Sequence, residues 1–363
     1  MALTSETGNT PKVSIILVNW NGWQDTIPCL DSVFQISYGN YDVIVVDNGS
    51  EDESIDVIRA YVDGEVTRKL PNEKRDLVTG PIKTIQYSRH EAELGGVAKK
   101  ESSLSTFPPN RRLRIILNDT NTGYSDANNV AIRYACRALS PDYILLLNND
   151  TVVDKRFLSE LVSVAEIDDT IGMIGPKIYY NDFNGRRDVI FFAGGTIDMR
   201  RGLPFFFNLP EIDCGQYDTV KAVDQLSGSC LLAKRELLEK VGLLSTDYFL
   251  YWEDADWCFR AQQFGFKLVY VPRAVVWHKV KASARKIGCK QAYYLARGRF
   301  YFIKRFATKR QLLSFLSYFF FYGFWIQVGS YLKLGEICEL KKFCEGVVDG
   351  LFTHSRETSQ FEP

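Results

Sequence analysis

The chain opens with short apolar runs that alternate with amphipathic segments. Residues 13–18 (VSIILV) and 41–46 (YDVIVV) are rich in β-branched side chains, as buried strands are. Between them, residues 23–35 carry apolar side chains at helical spacing, and Ser50 or Asp52 is placed to cap a second helix. The order strand, helix, strand, helix predicts a parallel sheet with right-handed crossovers, in which ligands bind at the carboxyl ends of the strands.

The same alternation returns after residue 112 and continues to about residue 280. Residues 186–218, rich in glycine, arginine and aromatic side chains, are expected to form strands and loops beside a pocket. We therefore predict one α/β domain over residues 13–280, preceded by a disordered segment at residues 1–12. Its further strands are predicted at residues 113–117, 143–147, 173–178, 229–233 and 267–271, and its further helices at residues 157–167, 235–241 and 254–264.

Residues 63–112 interrupt this rhythm. The stretch is highly charged, contains four prolines and shows little periodicity. We predict a partly disordered insertion with a short helix near residues 89–100, because so long a loop is unusual inside a compact domain. The insertion either contacts a substrate or is a solvated excursion.

Composition excludes several functional classes. Lys and Arg total 44, as do Asp and Glu, so no basic field favours nucleic acid as a partner. None of the eight cysteines forms a C-x-x-C pair, which argues against a zinc site and favours reduced core cysteines in a cytosolic compartment. No nucleotide-binding glycine-rich loop follows the first strand. Residues 1–11 lack the apolar core of a secretory signal, so we expect a cytoplasmic catalytic part.

Two acidic stretches are candidates for chemistry. Asp150 ends the most hydrophobic strand, where a carboxylate can bind a hard divalent cation that bridges two phosphates. The alternative for Asp150 is a turn with a helix cap. Residues 252–257 (WEDADW) place three carboxylates between tryptophans, which raises carboxyl pKa values and suits a general base. The alternative is an acidic first helical turn, favoured by the helix dipole.

Two further features are weaker on their own. His278 follows the last strand and is either a metal ligand or an ordinary core or surface residue. Residues 121–129 pack small and amide side chains just before a helix, where backbone N–H groups bind anions well. The alternative is a plain loop with a cap.

Taken in order, these stretches resemble the family 2 glycosyltransferases with the GT-A fold, and within them the rhamnosyltransferase-like branch. The resemblance covers about residues 13–280 without the insertion, and its last segment and the NND stretch are the most specific. The matching segments are VSIILVNWNG at 13–22, VIVVDNGSED at 43–52, NTGYSDANN at 121–129, YILLLNNDT at 143–151, GSCLLAKRELLEKVG at 228–242 and FLYWEDADWCFRAQQFGFKLVYVP at 249–272. The resemblance implies an α/β fold, with a mostly parallel nucleotide-binding sheet flanked by helices.

The resemblance also implies a role for each matching position. Asp150 is expected to bind Mg²⁺ or Mn²⁺ with the donor diphosphate, and His278 matches a histidine that completes the metal shell in some relatives. Asp254, in the pair with Glu253, matches the catalytic base. Nucleotide binding is expected of Asn19, Asn21, Asp47, Asn121, Gly123, Asn128 and Asn149.

These roles imply an inverting, metal-dependent glycosyltransferase of cell-surface polysaccharide or glycoconjugate synthesis. It is expected to move a sugar, rhamnose or another hexose, from a nucleotide-sugar donor to a hydroxyl of a glycan or lipid-linked acceptor. The alternative is a non-catalytic scaffold that binds a nucleotide or a glycan, and retention of Asp150 with the Glu253–Asp254 pair argues against it. One departure is Asp126, where the family has a small residue; it either helps select the donor or faces solvent.

The C-terminal region contains a long apolar stretch. Residues 311–332 carry no charge over 22 positions, and about 20 apolar residues suffice to span a hydrocarbon core. Basic residues flank both ends, which favours a helix in or on the cytoplasmic leaflet over a span. A buried core helix or a dimer interface would also account for the apolar run. We predict a helical, membrane-associating region at residues 281–352 and a disordered tail at residues 353–363, with the protein at the inner face of the cell membrane.

Overall fold

A computed structural model describes residues 10–65, 81–205, 210–280 and 287–353. Most of the two ends that were predicted to be disordered lies outside these residues. The strands are β1 Val13–Asn19, β2 Tyr41–Asn48, β3 Lys83–Ser88, β4 Arg112–Asn118, β5 Tyr143–Leu147, β6 Thr151–Val153, β7 Ile171–Tyr180, β8 Val189–Phe192, β9 Thr196–Asp198, β10 Leu203–Phe205, β11 Glu211–Ile212, β12 Lys221–Val223, β13 Cys230–Lys234 and β14 Lys267–His278.

The helices follow the strands in a largely alternating order up to β14 and then succeed one another. A 3₁₀ turn, Pro109–Arg111, precedes β4, and a π-helical segment, Phe319–Gly323, joins α10 to α11. The helices are α1 Trp23–Val33, α2 Ser54–Val62, α3 Arg89–Glu93, α4 Ala98–Ser105, α5 Tyr124–Ala138, α6 Phe157–Ala165, α7 Arg235–Val241, α8 Glu253–Gln263, α9 Lys290–Phe306, α10 Lys309–Tyr318, α11 Phe324–Leu334 and α12 Ile337–Phe352.

The predicted α/β fold with a large, mostly parallel sheet is confirmed. The main sheet has the order β11-β8-β7-β13-β5-β1-β2-β4-β3. Its half from β5 to β3 is parallel, and β13 joins β5 in the antiparallel direction. Helices cover both faces, which explains why β2 and β5 are buried along their whole length and read as unbroken apolar runs. The carboxyl ends of β1, β2, β4 and β5 therefore meet at one edge of the sheet.

The final strand is longer than the sequence pattern predicts. We expected a strand at residues 267–271 that ends before Pro272, but β14 runs on to His278. A register shift between Val271 and Val275 places the proline where its missing N–H breaks no regular ladder. The extension pairs His278 with Thr151 of β6, so the end of β14 reaches the end of β5.

Part of the stretch that we predicted to be a partly disordered insertion belongs to the sheet. Strand β3 pairs in parallel with β4 and forms the edge of the sheet, followed by helices α3 and α4. Only Tyr87 of β3 is buried, so this edge strand carries no apolar run or alternation that the sequence could reveal. Residues 66–80 of the same stretch lie outside the described residues.

The C-terminal helices form a core of their own against the sheet domain. Aromatic side chains of α9, among them Phe300 and Phe302, pack with Phe315 and Phe319. The same core includes Ala255 of helix α8 in the sheet domain. Among the described residues, one helical stretch, Lys309–Leu334, is long and apolar enough to cross a membrane, and 11% of its most apolar window is buried. A buried core helix is therefore not what this stretch forms.

The expectation that all cysteines are reduced is wrong at one pair. Cys289 and Cys338 form a disulfide, with Cα atoms 5.7 Å apart, that joins the starts of α9 and α12. Four of the remaining cysteines, Cys29, Cys136, Cys230 and Cys258, are free thiols buried in the core as predicted. The pair escapes a motif search because its members lie 49 residues apart.

A buried ion cluster ties the edge strand to the middle of the sheet. The Arg114 guanidinium on β4 donates to Asp42 at 2.8 Å and to Glu101 of α4 at 2.8 Å, and its Nε also donates to the Tyr134 hydroxyl at 3.1 Å. Burial alone would raise the pKa of Asp42, but the charges of Arg114 and Arg112 outweigh it and hold that pKa below its usual value. Glu101 also accepts from the Tyr87 hydroxyl of β3 at 3.0 Å, so the cluster fixes α4 and β3 relative to β2.

We expect Arg114→Ala to lower the free energy of unfolding by about 3–5 kcal/mol, because it removes the buried cation that Asp42 and Glu101 share and leaves Glu101 with tyrosine hydroxyls as partners. The measurement is equilibrium denaturant unfolding of purified protein. Arg186→Ala is the matched control, since Arg186 pairs with Asp188 at the surface and should cost less than about 1 kcal/mol. Equal losses for the two variants would contradict this account of the cluster.

Candidate active site

A buried network of amides and a carboxylate joins the ends of β1, β2 and β5. Asn19 donates to Asp47 at 2.7 Å and accepts from the Thr26 hydroxyl at 2.8 Å, and Asn149 donates to the same hydroxyl at 2.8 Å. Ser50 closes the β2 turn by donating its backbone N–H and its hydroxyl to Asp47. Three residues predicted to bind the nucleotide are thus together, where they set the shape of the loops.

Asn48, which the sequence analysis missed, organises the loop before α5. Its amide donates to Asn121 at 3.0 Å, and its carbonyl oxygen accepts from Asn118 and from the backbone N–H of Thr122. Gly123 then turns the chain with a φ of 87°, and a Cβ there would lie 2.6 Å from the Phe249 carbonyl. The signal was present, since Asn48 directly follows Asp47 at the end of β2.

The other positions predicted near the nucleotide differ in placement. Asn21 has a left-handed backbone, and its side chain accepts from the backbone N–H groups of Glu51 and Asp52. Asn128 is buried, donates to the Tyr124 carbonyl one turn earlier in α5 and does not line the cavity described below. Only Asn121 and Gly123 of this loop line that cavity.

The Asp126 side chain is partly buried and is engaged in an ion pair within the chain. It forms a two-pronged ion pair with Arg89 at the start of α3, with a shorter distance of 2.6 Å. Burial opposes the charged form, but the hydrogen bond from Arg89 lowers the pKa of Asp126. This departure from the family pattern therefore anchors the residue 81–112 segment to the first turn of α5.

Asp150 and His278 face each other at the end of β5. His278 Nε2 lies 3.0 Å from Asp150 Oδ1, and that buried oxygen receives no well-aligned hydrogen bond. The other ring nitrogen, Nδ1, is 3.4 Å from the Ser229 hydroxyl. A carboxylate oxygen and an imidazole nitrogen that lie side by side are suitable ligands for a divalent cation. Among the described residues no third acidic, His or Cys side chain joins them, so remaining ligands would have to come from a substrate or water.

The two predicted catalytic carboxylates begin helix α8. Tyr251 and Trp252, just before them, both have left-handed backbones, which is uncommon for bulky residues and typical of functional loops. Asp254 is held by the backbone N–H groups of Gly228, at 2.9 Å, and Ala255, at 2.7 Å. Glu253 is buried, and its Oε2 has no hydrogen-bond partner.

Their environments separate the two acids. Burial, and then the neighbouring Asp254 carboxylate, raises the pKa of Glu253 to about 8. Burial also raises the pKa of Asp254, but the backbone N–H groups of Gly228 and Ala255 oppose that rise. The backbone N–H groups stabilise the charged form of Asp254, so the first negative charge of this pair belongs on Asp254 rather than on Glu253.

The third carboxylate of the acidic stretch is structural. Asp256 is fully buried and accepts from Arg260 at 2.6 Å and from Arg305 at 3.0 Å. The Arg260 guanidinium also donates to two backbone carbonyls, those of Val241 and Leu243. Asp256 thus holds α8 on α9 and on the preceding loop, on the side of the helix away from Asp254.

A single cavity of about 690 Å³ connects these groups. Its lining includes Asp150, His278, Glu253 and Asp254 from the sheet domain. It also includes residues that sequence reasoning did not associate with the site, which come from the C-terminal helices: Gln291, Leu295, Arg299, Phe319, Tyr331 and Phe343. The sheet domain and the C-terminal helices therefore build the site together.

Two solved structures with the same fold contain a nucleotide sugar. The mannosyltransferase PcManGT from Pyrobaculum calidifontis, in complex with GDP-Man and Mn²⁺, superposes with a TM-score of 0.52 over 94% of this chain and 87% of that one, at 16% identity. Residues 1–349 of Staphylococcus aureus TarS, with UDP-GlcNAc, give a TM-score of 0.50 over 94% and 80%, at 15% identity. These matches establish the GT-A fold.

Curated relatives are similar over part of their length. A hexosyltransferase of low-salt glycan biosynthesis, Agl10 of Haloferax volcanii, is 29% identical over 143 residues, which are 39% of this chain and 44% of the relative. An N-acetylglucosaminyl-diphospho-decaprenol L-rhamnosyltransferase of Mycobacterium tuberculosis is 29% identical over 200 residues, 51% of this chain and 64% of the relative. The chain thus spans less than two thirds of either relative.

Two family models match the parts of the chain that contain the site residues. Residues 14–91 match the glycosyl transferase family 2 model. Residues 104–293, more than half of the chain, match the glycosyltransferase-like family 2 model. These two ranges contain every site residue described above from Asn19 to His278. The chain belongs to the family 2 glycosyltransferases.

Proposed function

We propose that this protein transfers a sugar from a nucleotide-sugar donor to an acceptor hydroxyl, with inversion at the anomeric carbon. The observation that carries the proposal is that one cavity holds two separate acidic centres. The Asp150–His278 pair suits the diphosphate end of a donor, and the Asp254 carboxylate suits deprotonation of an acceptor. A binding scaffold would have no need for a buried acid beside a charged one, because that pair costs stability.

On the donor side, the ends of β1, β2 and β5 are the surface offered to the nucleotide. Asp47, Asn48 and Asn121 are held by their own hydrogen bonds, so the surface is ordered before a ligand binds. Asp150 and His278 would hold Mg²⁺ or Mn²⁺, which neutralises the charge of a nucleoside diphosphate leaving group. We assign Asn19 and Asn21 to shaping these loops, since their side chains are engaged and do not line the cavity, whereas Asn149 lines it and can contact the donor through its carbonyl oxygen.

On the acceptor side, Asp254 is the general base. The acceptor oxygen attacks the anomeric carbon while its proton moves to Asp254, and the bond from that carbon to the diphosphate oxygen breaks. One displacement of this kind inverts the anomeric centre and releases the nucleoside diphosphate. Protonated Glu253 keeps a second negative charge away from the base, and its pKa of about 8 sets the upper limit of that state.

We also propose that the protein works at a membrane surface. The Lys309–Leu334 stretch exposes Phe321, Trp325 and Ile326 in its middle. Lys309 and Lys333 lie near its two ends. Exposed aromatic and apolar side chains between basic flanks are typical of helices that lie in the headgroup region of a bilayer. The cytoplasmic face of a cell membrane meets this description, and a glycan or lipid-linked acceptor would be presented there.

The base is tested by Asp254→Asn, which we expect to lower kcat by about 10²–10⁴-fold, or 3–5 kcal/mol of transition-state stabilisation. Donor affinity should stay nearly unchanged, because the substitution spares the donor side. The measurement is turnover with the donor selected from a nucleotide-sugar panel, with calorimetry for binding. Asp169→Asn, an exposed aspartate, is the control. Near-normal turnover of Asp254→Asn would reject the assignment.

The metal pair is tested by Asp150→Ala. We expect it to remove most of the gain in donor affinity that Mn²⁺ produces, since an orphaned carboxylate oxygen at the end of β5 is lost. Calorimetric titration of the donor with and without Mn²⁺ measures this gain. Asp119→Ala removes the same charge from the exposed neighbour of Asn118 and should leave the gain intact. An unchanged Mn²⁺ effect in Asp150→Ala would argue against this site.

Membrane association is tested by changing Phe321 and Trp325 together to serine. We expect binding to vesicles of phosphatidylethanolamine and phosphatidylglycerol to fall by roughly tenfold or more, because two exposed aromatic side chains no longer enter the interface. Flotation of purified protein with vesicles measures the bound fraction. Phe264→Ser changes an aromatic side chain that is also exposed but lies on the sheet domain, and it should not alter binding. Equal flotation of all three proteins would exclude this surface.

A further inference from the structure

The proposed function assigns no role to one partly buried charged side chain of the cavity, that of Arg299. Arg299 lies on α9 and lines the cavity together with the catalytic acids. Among the described lining residues, it is the one Lys or Arg, whereas Asp150, Glu253 and Asp254 are all acidic. A second cationic lining group is therefore absent from the described part of the site, and any anionic portion of a substrate near the acids has one candidate counter-charge.

The guanidinium of Arg299 has spare hydrogen-bonding capacity. Its Nη2 donates to the Arg201 carbonyl, but its buried Nε has no partner. No ion pair between Arg299 and a carboxylate occurs within the described residues. Burial lowers the pKa of Arg299 to about 10, which still leaves it charged at neutral pH. A partly buried cation without an anionic partner is costly, and a bound phosphate with its bidentate geometry would compensate it.

The surroundings of Arg299 are apolar and lead toward the proposed membrane surface. Its guanidinium lies 5.3 Å from the ring centre of Phe315 and 5.2 Å from that of Phe319. Phe319 lines the same cavity and begins the π-helical segment within the Lys309–Leu334 stretch. Tyr331 of that stretch and Phe343 of α12 continue the lining. The cavity therefore joins an anion-binding group to an aromatic wall on the helix that exposes its other face.

The helix that carries Arg299 also contacts Trp252, the residue before the catalytic acids. A Cβ added to the preceding residue, Gly298, would lie 2.7 Å from the Trp252 ring, and Trp252 donates from its indole to the Leu295 carbonyl. Trp252 immediately precedes Glu253. A substrate phosphate at Arg299 would thus leave its attached sugar beside Asp254, whereas the donor diphosphate is assigned to Asp150 and His278 on the strand ends.

We propose that Arg299 binds the phosphate of a lipid-linked acceptor, whose hydrocarbon chain lies along Phe319, Tyr331 and Phe343. The proposal rests on the sugar-transfer function and names its acceptor class, a glycosyl phosphate or diphosphate of a long-chain alcohol. Arg299 is then a specificity-determining residue, because it discriminates this acceptor from a neutral glycoside. An anion flanked by aromatic surface is the ligand that this mixture of charge and apolar lining matches.

The test uses the full chain in mild detergent and three probes: farnesyl phosphate, farnesol and inorganic pyrophosphate. Binding is followed by tryptophan fluorescence. We expect the wild type to bind farnesyl phosphate at least about tenfold more tightly than either other probe, because only that probe satisfies both the charge and the apolar wall. Arg299→Gln should bring farnesyl phosphate to the affinity of farnesol while leaving farnesol unaffected. Arg299→Lys should keep part of the preference.

Two controls separate this role from others. Arg310→Gln removes the same charge from the exposed start of α10 and should keep the preference. A saturating nucleoside diphosphate with Mn²⁺ should not compete with farnesyl phosphate; competition would mean that Arg299 serves the donor and would overturn the proposal. Equal wild-type affinity for farnesol and farnesyl phosphate would also overturn it, as would an equal loss for both probes in Arg299→Gln.

The outcome is independent of the sugar-transfer test. If the wild type binds a nucleotide-sugar donor but shows no preference for farnesyl phosphate, the acceptor proposal fails and the transferase proposal stands. If no donor binds or reacts while farnesyl phosphate binding still depends on Arg299, the transferase proposal fails and the phosphate site remains.

Discussion

The parallel pairing of β1 with β2 and β5 is the constraint on which the site depends. The register places Asn19 opposite Asp47, and β5 pairs with β1 on its other side, so Asp150 follows within the same edge. Parallel strands must all end at one edge, and their connecting helices lie on the faces, which leaves the edge open to ligands. The buried amide network between these ends then fixes the loops without any contribution from a bound substrate.

The acidic start of α8 shows how the fold keeps a costly arrangement in place. Glu253 is a buried acid with an unsatisfied oxygen, and such groups destabilise a folded chain. Further along the helix, Asp256 forms ion pairs with Arg260 and Arg305. These ion pairs hold α8 in place although the burial of Glu253 destabilises the folded chain. The left-handed Tyr251 and Trp252 belong to the same compromise between stability and positioning.

The C-terminal helices help to build the cavity of the candidate active site. Their aromatic core includes Ala255 of α8, and α9 packs along α12 with the disulfide at one end. Because α9 supplies both the contact with Trp252 and the cavity-lining Arg299, any surface that binds the Lys309–Leu334 stretch is mechanically connected to the acids. The sheet domain and an amphiphilic helical region thus share a single cavity.

The sequence alone determined the parts whose burial is uniform or periodic. Strands β1, β2 and β5 are buried on both faces and read as apolar runs, and the polar residues that end them, with the Glu253–Asp254 pair, resemble one family in order and spacing. Only the tertiary structure decided what depends on distant partners. Edge strand β3 has little burial to leave a pattern. Asp254 and Asp256 have the same chemistry but lie about 200° apart around α8, so one faces the cavity and the other faces arginines. In the sequence, Arg299 cannot be distinguished from any other arginine of a helix. Hydrophobic periodicity indicates which positions are buried but not which residues lie next to them, so only the folded structure shows that Arg299 lines the cavity.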